Sequence, residues 1–562
     1  MFLSSTLVRS ARRPSGYWSL MWWCLILFVS LALAFEPFDG FGAFQESQNV
    51  TIKKDGNLGS ALDAKSGSPG IINPGNIYEW TPISANISSG ERNVFVFTVD
   101  GNSTRLGIAT SYEILIFLSG NICSQPSGSS DKALRVSYSF DESVQTNSSL
   151  GHYATFENGY MQALAVSPLR VSDANATAKY SSLYVVVEPV NTTTNTALSA
   201  TAEDVWHYKL SISENDLVYQ WDTRTWLNVL DTDHNSALLV TGNVTADAQQ
   251  FSNSSIYDTS LYDLYVYSFE ESLKLDSSLN ISLCAITNGP YIVSSVDSNN
   301  TGDSGHGLER TALGIEKTLT NRMYTYQEQF YVTGLNSSST YVAYLTKRIG
   351  KKGNLSDVGG VLFSKQYFST RGSNACSLIF GLPFCYGVAY SVPSPSKAPN
   401  NKTAIAATYD RVAESLYANF SKALQIIPCD TEMDARYSPV RTCKDCARSY
   451  RDWLCAVTIP RCTDTASEYY AFREKNDNRN DYLNNEIQPI ADYYEMLPCI
   501  DMCYAVARDC PSDFMFACPS VNDKIDAKFR SYNSLDLDDL LQAVQTCNFI
   551  GNATELFREL FP

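Results

Sequence analysis

The chain has 562 residues, 42 basic and 59 acidic side chains, and a formal net charge of −17. That sign disfavours nucleic acid as a partner and argues against plain electrostatic adhesion to anionic lipid. Fifteen cysteines beside only four histidines leave disulfides, metal or catalysis as reasons for the cysteines, and the compartment decides between them.

The first 34 residues hold Arg9, Arg12 and Arg13 and no acidic side chain, and the apolar run Trp18 to Ala34 closes on Ala32-Leu33-Ala34. This describes a secretory signal peptide, either cleaved after Ala34 or kept as a signal anchor. Both put the remainder in the secretory pathway, where 39 basic residues face 59 acidic ones, a net −20. Such a surface serves solubility, or it concentrates cations. Fifteen N-x-S/T sequons mark a solvated, lumenal surface: Asn49, Asn86, Asn102, Asn147, Asn175, Asn191, Asn243, Asn253, Asn280, Asn299, Asn336, Asn354, Asn401, Asn419 and Asn552.

From Asn76 to Val190 short β-branched and aromatic runs alternate with turn chemistry. NVFVFTV (Asn93 to Val99) ends in Asp100-Gly101, YEILIFL begins at Tyr112, and LYVVVEPV begins at Leu183. These predict a jelly-roll-like β-sandwich over 35–200. A second strand-rich block spans 201–375. Within it, QFYVTGLNSSSTYVAYLTKR (Gln329 to Arg348) resembles the E–F corner of fibronectin type III domains, with Tyr341 as the corner tyrosine. Cys123 and Cys284 have no other obvious partner, so a bridge between the two blocks is expected.

CSLIFGLPFCYGVAYSV (Cys376 to Val392) is uncharged, but its Pro383, Gly381 and Gly387 suit a disulfide-closed hairpin better than a membrane span. With the Pro/Ser/Lys stretch that follows it makes a clip and linker over 376–403. Ile405, Tyr409, Val412, Leu416, Phe420 and Leu424 then recur at helical spacing and open a cysteine-rich part over 404–562.

Candidate chemistry is weak. Gly302-Asp303-Ser304-Gly305 looks like a protease nucleophile loop, yet none of His152, His207, His234 and His306 lies in a matching context. Asp231-Thr232-Asp233-His234-Asn235 starts like a calcium loop, but positions six and twelve are Ser236 and Gly242, so a turn between strands is expected. Cys443-x2-Cys446 suits a redox pair or half a zinc site, but no histidine follows His306. Structural disulfides are the expectation, with no catalytic, metal or cofactor site.

The ten cysteines Cys429, Cys443, Cys446, Cys455, Cys462, Cys499, Cys503, Cys510, Cys518 and Cys547 resemble a Frizzled-type cysteine-rich domain. WLCAVTIPRC and PCIDMCYAVARDC look like its two signature stretches. The resemblance implies an α-helical domain with bridges Cys429–Cys462, Cys443–Cys455, Cys446–Cys510, Cys499–Cys547 and Cys503–Cys518, leaving Cys376–Cys385 as a local clip. EWTPISANISSGERNVFVF (Glu79 to Phe97) and YSPVRTCKDCARSYRDWLCAVTIPRC (Tyr437 to Cys462) further resemble the fungal Mid-type family, regulatory subunits of a stretch-activated, high-affinity calcium influx channel. This implies a non-enzymatic glycoprotein on the extracellular face of the plasma membrane, partnered by a large four-repeat pore-forming subunit. Its membrane association would run through that partner or an uncleaved N-terminal anchor. Within the polar insert Thr463 to Glu486, Tyr469, Tyr470, Arg473, Arg479 and Tyr482 are the side chains expected to touch the partner, a solvated loop being the rival reading. A ligand-binding receptor ectodomain and a structural cell-surface glycoprotein are the alternative functions.

Overall fold

Strand alternation builds the first layer pair. In the computed structural model, β4 (Ser111–Ser124) turns Ile114, Ile116 and Leu118 into the core while Leu115 faces out. The structure describes residues 74–550 apart from 101–110, 127, 129–130, 171–179, 245–260, 277, 299–307, 309–310, 323–324, 350–358, 398, 429–435, 520–529 and 535–544. The run Trp18 to Ala34, the Gly302 to Gly305 stretch, Cys429 and the sequons at Asn49, Asn102, Asn175, Asn253, Asn299, Asn354 and Asn552 lie outside the described residues.

The first sandwich stacks two sheets. One has the order β1-β3-β8-β5-β6, from Gly75–Ile77, Asn93–Thr98, Ser182–Asn191, Lys132–Ser139 and His152–Thr155; the other is β2-β9-β4-β7, adding Ile83–Ser89, Thr201–Ser213 and Tyr160–Arg170. Val185, Val187, Trp206 and Tyr208 fill the space between them. β9 pairs on both sides, with β2 and β4, so this sandwich continues past residue 200.

The second sandwich pairs a six-stranded sheet with a four-stranded one. The six-stranded sheet runs β10-β18-β17-β13-β14, from Tyr219–Asp222, Gly360–Phe363, Thr340–Arg348, Tyr262–Ser268 and Val293–Ser294, with β19 (Gln366–Ser369) also on β17. The other runs β11-β12-β16-β15, from Leu227–Thr232, Ser236–Thr241, Thr325–Thr333 and Gly314–Arg322. Leu264, Val266, Phe330, Val332, Ala343 and Leu345 form the shared core. The Tyr341 hydroxyl accepts the Asn336 N–H at 2.9 Å, which ties the corner five residues upstream. Helices α1 (Phe269–Asp276) and α2 (Leu283–Thr287) cover the back of the six-stranded sheet through Leu275, Ala285 and Ile286. The Cys123–Cys284 bridge, Cα–Cα 4.8 Å, joins β4 to α2.

The uncharged stretch is a hairpin, β20 (Cys376–Ile379) against β21 (Tyr390–Pro393). It lies on the outer face of the four-stranded sheet, Leu378 and Ala389 meeting Leu238 and Tyr331. Both faces of β12 are therefore covered, and all six of its residues are buried. The other side of the hairpin packs on α3 (Lys402–Leu424) and α4 (Cys443–Thr458). Asn401 caps α3 by accepting the Ala404 N–H, and Thr442 with Asp445 forms a capping box on α4. A three-stranded sheet, β22 (Arg461–Thr463), β24 (Tyr493–Met496) and β23 (Ala471–Arg473), and α5 (Ile500–Asp509) complete this part. The described chain is mostly β, with few helices and several disulfides. Among the described residues no helix is long and apolar enough to cross a membrane.

Two of the implied pairings need correction, and a third falls with them. Cys443 and Cys455 sit twelve residues apart on one continuous helix, a rise of about 18 Å that no disulfide spans. Cys455 instead meets Cys385, and Cys462 meets Cys376, so Cys429–Cys462 and Cys376–Cys385 are replaced as well. Cys376 lies at the open end of the hairpin and Cys385 in its connecting loop, about 10 Å apart along the strand. Each reaches across to the cysteine-rich part rather than to the other. Cys446–Cys510, Cys499–Cys547 and Cys503–Cys518 are present, and Cys443 is disulfide-bonded. Non-reducing peptide mapping is expected to recover Cys376 joined to Cys462 and Cys385 joined to Cys455. Recovery of a Cys376–Cys385 peptide would contradict this arrangement.

Candidate functional site: a charged junction beneath the cysteine-rich part

The end of β11 and its turn into β12, Leu230 to Ser236, are where the second sandwich meets the clip and the cysteine-rich part. Asp231 is buried, and its carboxylate takes Arg371 at 2.6 Å, Arg461 Nε at 3.1 Å and the Ser391 N–H at 3.1 Å. Arg461 also donates to the Leu230 carbonyl at 3.1 Å, and the Ser391 hydroxyl donates to the Thr232 carbonyl. Asp233 has no exposed surface. One of its oxygens accepts the Asn235 and Ser236 N–H groups, which closes the turn, and the other accepts the Leu378 N–H at 2.9 Å and pairs with Lys402 at 2.5 Å. The stretch that starts like a calcium loop is thus a turn, and its carboxylates meet the protein's own cations. Among the described residues no cluster could hold a metal ion.

Lys402 explains how the arrangement was built. It occupies the first turn of α3, where the positive end of the helix dipole disfavours a cation. Asp233, the Ser236 hydroxyl at 2.8 Å and the Tyr331 hydroxyl at 3.2 Å surround its ammonium and compensate for that placement. Burial alone would raise both carboxyls, but Arg461 and Arg371 hold Asp231 below the usual carboxylate range, and Lys402 does the same for Asp233. Burial would lower Lys402, yet Asp233 and Tyr331 hold it above its ordinary value. Sequence reasoning read the turn but missed its partners. The available signal was a lysine at the start of an amphipathic helix.

The five residues expected to touch a partner are half-buried, and the side chains of Tyr470, Arg473, Arg479 and Tyr482 bond within the chain. Arg473 and Arg479 grip the buried carboxylate of Glu495 at 2.7 and 2.9 Å. Arg479 also donates to the Val457 carbonyl, Tyr482 donates to the Thr458 carbonyl, and the Tyr482 ring stands edge-on to Tyr409. Tyr470 donates to the Gln545 carbonyl, and the Tyr469 carbonyl accepts Asn533. The insert is not a free loop because β23 pairs with β24 and its arginines neutralise Glu495. Of the described sequons, Asn86, Asn147, Asn243, Asn336, Asn401 and Asn419 are exposed, while Asn191 and Asn280 are half-buried. The Asn191 amide oxygen accepts the Thr193 and Thr194 N–H groups, and Asn280 precedes the fully buried Ser282 that caps α2.

Removing one partner of the Asp233–Lys402 pair strands a buried charge, so Lys402→Met is expected to cost about 3–5 kcal/mol in urea unfolding, and Asp233→Asn with Lys402→Met, which keeps an amide oxygen for the N–H groups, less. The lowered Asp231 and Asp233 contribute stability that is complete above about pH 5 and lost as pH falls through their folded values. The raised Lys402 contributes below its ordinary value of 10.5 and is lost only above it. The difference between the wild-type and double-variant urea midpoints should therefore hold steady between about pH 5 and 10 and shift in favour of the double variant as pH falls toward 3.

Comparison with known proteins places the chain in a family. Residues 115–553 match the Mid1 family, described as a stretch-activated Ca2+-permeable channel component. The chain is 54% identical over 544 residues to the stretch-activated cation channel MID1 of Saccharomyces cerevisiae, covering 96% of this chain and 98% of that one. It is 31% identical over 480 residues to the stretch-activated cation channel yam8 of Schizosaccharomyces pombe, covering 84% and 87%. A stretch-activated cation channel MID1 of Cryptococcus neoformans shares 25% identity over 294 residues, 45% of this chain and 46% of that one. The chain belongs to the Mid1 family of stretch-activated Ca2+-permeable channel components.

Proposed function

We propose that this protein is a non-enzymatic auxiliary subunit of a plasma-membrane calcium channel. It passes through the endoplasmic reticulum, reaches the extracellular face, binds a large four-repeat pore-forming subunit there and supports calcium influx. The family match over residues 115–553 carries this reading. The lack of a spanning helix among the described residues supports a partner that supplies the pore. The fold of α3, α4 and α5, tied by Cys446–Cys510 and Cys503–Cys518, is read as a Frizzled-like element to which the clip hairpin has been added.

With the insert's arginines paired to Glu495, the contact surface is better placed at the Cys446–Cys510 end of the cysteine-rich part. Between Arg436 and Arg451 five cations stand against Asp445 alone, in a chain that is acidic overall. Tyr437 donates to the Asp509 carbonyl and Arg441 pairs with the Asp509 carboxylate, so this segment lies against the end of α5. Val440 is 78% exposed, and Met515, five residues after Cys510, is 86% exposed on a left-handed backbone at φ 51°. The Asn419 sequon adjoins this end through Phe420, which packs on Tyr450, Phe514 and Phe516, and no other sequon occurs before Asn552. A basic, apolar face fits an acidic protein surface.

Affinity purification from solubilised membranes should bring down one large multi-span protein stoichiometrically. Val440→Glu with Met515→Glu should reduce that recovery at least tenfold at unchanged secretion, while Leu416→Glu, on the same helix as the Asn419 sequon, should not. Absence of any multi-span protein sinks the auxiliary role. Full recovery with the double variant sinks only the chosen surface.

A further inference from the structure

The disulfides divide the described chain into two stapled bodies, and none of the six described bridges crosses between them. Cys123–Cys284 holds the first sandwich to the second. Cys376–Cys462 and Cys385–Cys455 hold the clip to the cysteine-rich part, and Cys446–Cys510, Cys499–Cys547 and Cys503–Cys518 lie within that part. Between Ser369, the last residue of β19, and Cys376 only a short tether runs.

Beyond that tether the bodies meet across β12 and the chain around its start, with Lys402 on Tyr331 and Leu308 against the hairpin core. The polar contacts converge on Leu230 to Ser236: Asp231 and Leu230 with Arg461, Asp231 and Thr232 with Ser391, Asp233 with Leu378 and Lys402. The apolar contact is a patch in which Tyr331 stands edge-on to Phe380 at 4.9 Å and Leu238 meets Leu378. Each body, by contrast, keeps its own extensive core. Charge pairs in a shielded seam hold firmly while dry, but once water enters, the two ions regain hydration and the attraction falls several-fold. A seam of this kind opens in one step. A β-sheet must lose its ladder, and the clip cannot leave the cysteine-rich part at all while its two bridges are intact.

We propose that the end of β11 and its turn into β12 form a two-carboxylate latch, and that the cysteine-rich part with its clip swings off the second sandwich there before either body loses a strand. The device needs no change of fold, only separation at one seam, with the tether limiting the excursion to about 25 Å for the seven residue steps from Ser369 to Cys376. Its relevance to gating rests on the channel-subunit reading: load transmitted between a bound pore subunit and the sandwiches would cross this seam. The opening itself is a property of the isolated chain and can be tested without any partner.

Native-state hydrogen exchange in sub-denaturing urea on the full-length secreted protein provides that test. The Leu378 and Ser391 amides, which donate to Asp233 and Asp231, should exchange together through an opening with weak urea dependence. Core amides of Val185, Val187, Val266 and Ala343 should exchange only through larger openings. Lys402→Met should speed Leu378 and Ser391 exchange at least tenfold, and those core amides should still exchange only through the larger, more urea-dependent openings. Arg461→Lys, which keeps the charge but loses the second donor to the turn, serves if Lys402→Met is not secreted, with acceleration of the same two amides expected. The proposal is overturned if the Leu378 and Ser391 amides exchange only with the core strands, or if neither variant moves them. Failure to co-purify a channel protein would leave this result untouched, so the two readings fail separately.

Discussion

A carboxylate buried without water stays charged only if a cation and several N–H donors reach it, and this requirement organises the middle of the molecule. Asp233 meets it by collecting Lys402 from a helix 169 residues away in sequence, the Leu378 N–H from the clip, and the N–H groups of its own turn. Asp231 meets it with Arg371 before the clip and Arg461 beyond it. Three consecutive parts of the chain are thereby fixed to one hairpin turn. The clip takes its orientation from these contacts, and the two bridges that follow from its orientation, Cys376–Cys462 and Cys385–Cys455, fix the cysteine-rich part in turn.

Covalent and non-covalent restraints have different tasks in this arrangement. The bridges between clip and cysteine-rich part connect cysteines 86 and 70 residues apart, so each removes a large share of the unfolded chain's freedom. They rigidify a part whose cores are the aromatic group around Phe420 and Tyr450 and the cluster beneath the hairpin. The sandwiches need little such help, since Trp206, Tyr208, Phe330 and the strands around them close dry layers. Rigid bodies on both sides leave motion to the seam.

Local periodicity was legible and long-range pairing was not. LYVVVEPV reads as a buried strand and becomes β8, and the spacing of Ile405, Tyr409, Val412 and Phe420 becomes the buried stripe of α3. Leu416 shares the spacing yet is 51% exposed. Tyr341 was readable because its role is local, a hydroxyl returning five residues. The cysteine pairing inherited from a related ten-cysteine pattern went astray where the clip contributes two cysteines that the pattern lacks. The insert's internal ties were not legible, because a polar, aromatic insert resembles a solvated loop unless Glu495, twenty-two residues beyond Arg473, is known to pair with it. Charge partners at such separations leave no periodic trace.

The functional account follows from the same division. A family of stretch-activated channel components, represented here by stapled bodies with a charged seam and a basic end, is read as machinery attached to a pore rather than as the pore. Recording from planar bilayers that contain the purified full-length protein alone, under applied membrane tension, tests this most directly. The account predicts no cation current without a pore subunit. A reproducible stretch-gated calcium current from the protein alone would contradict it.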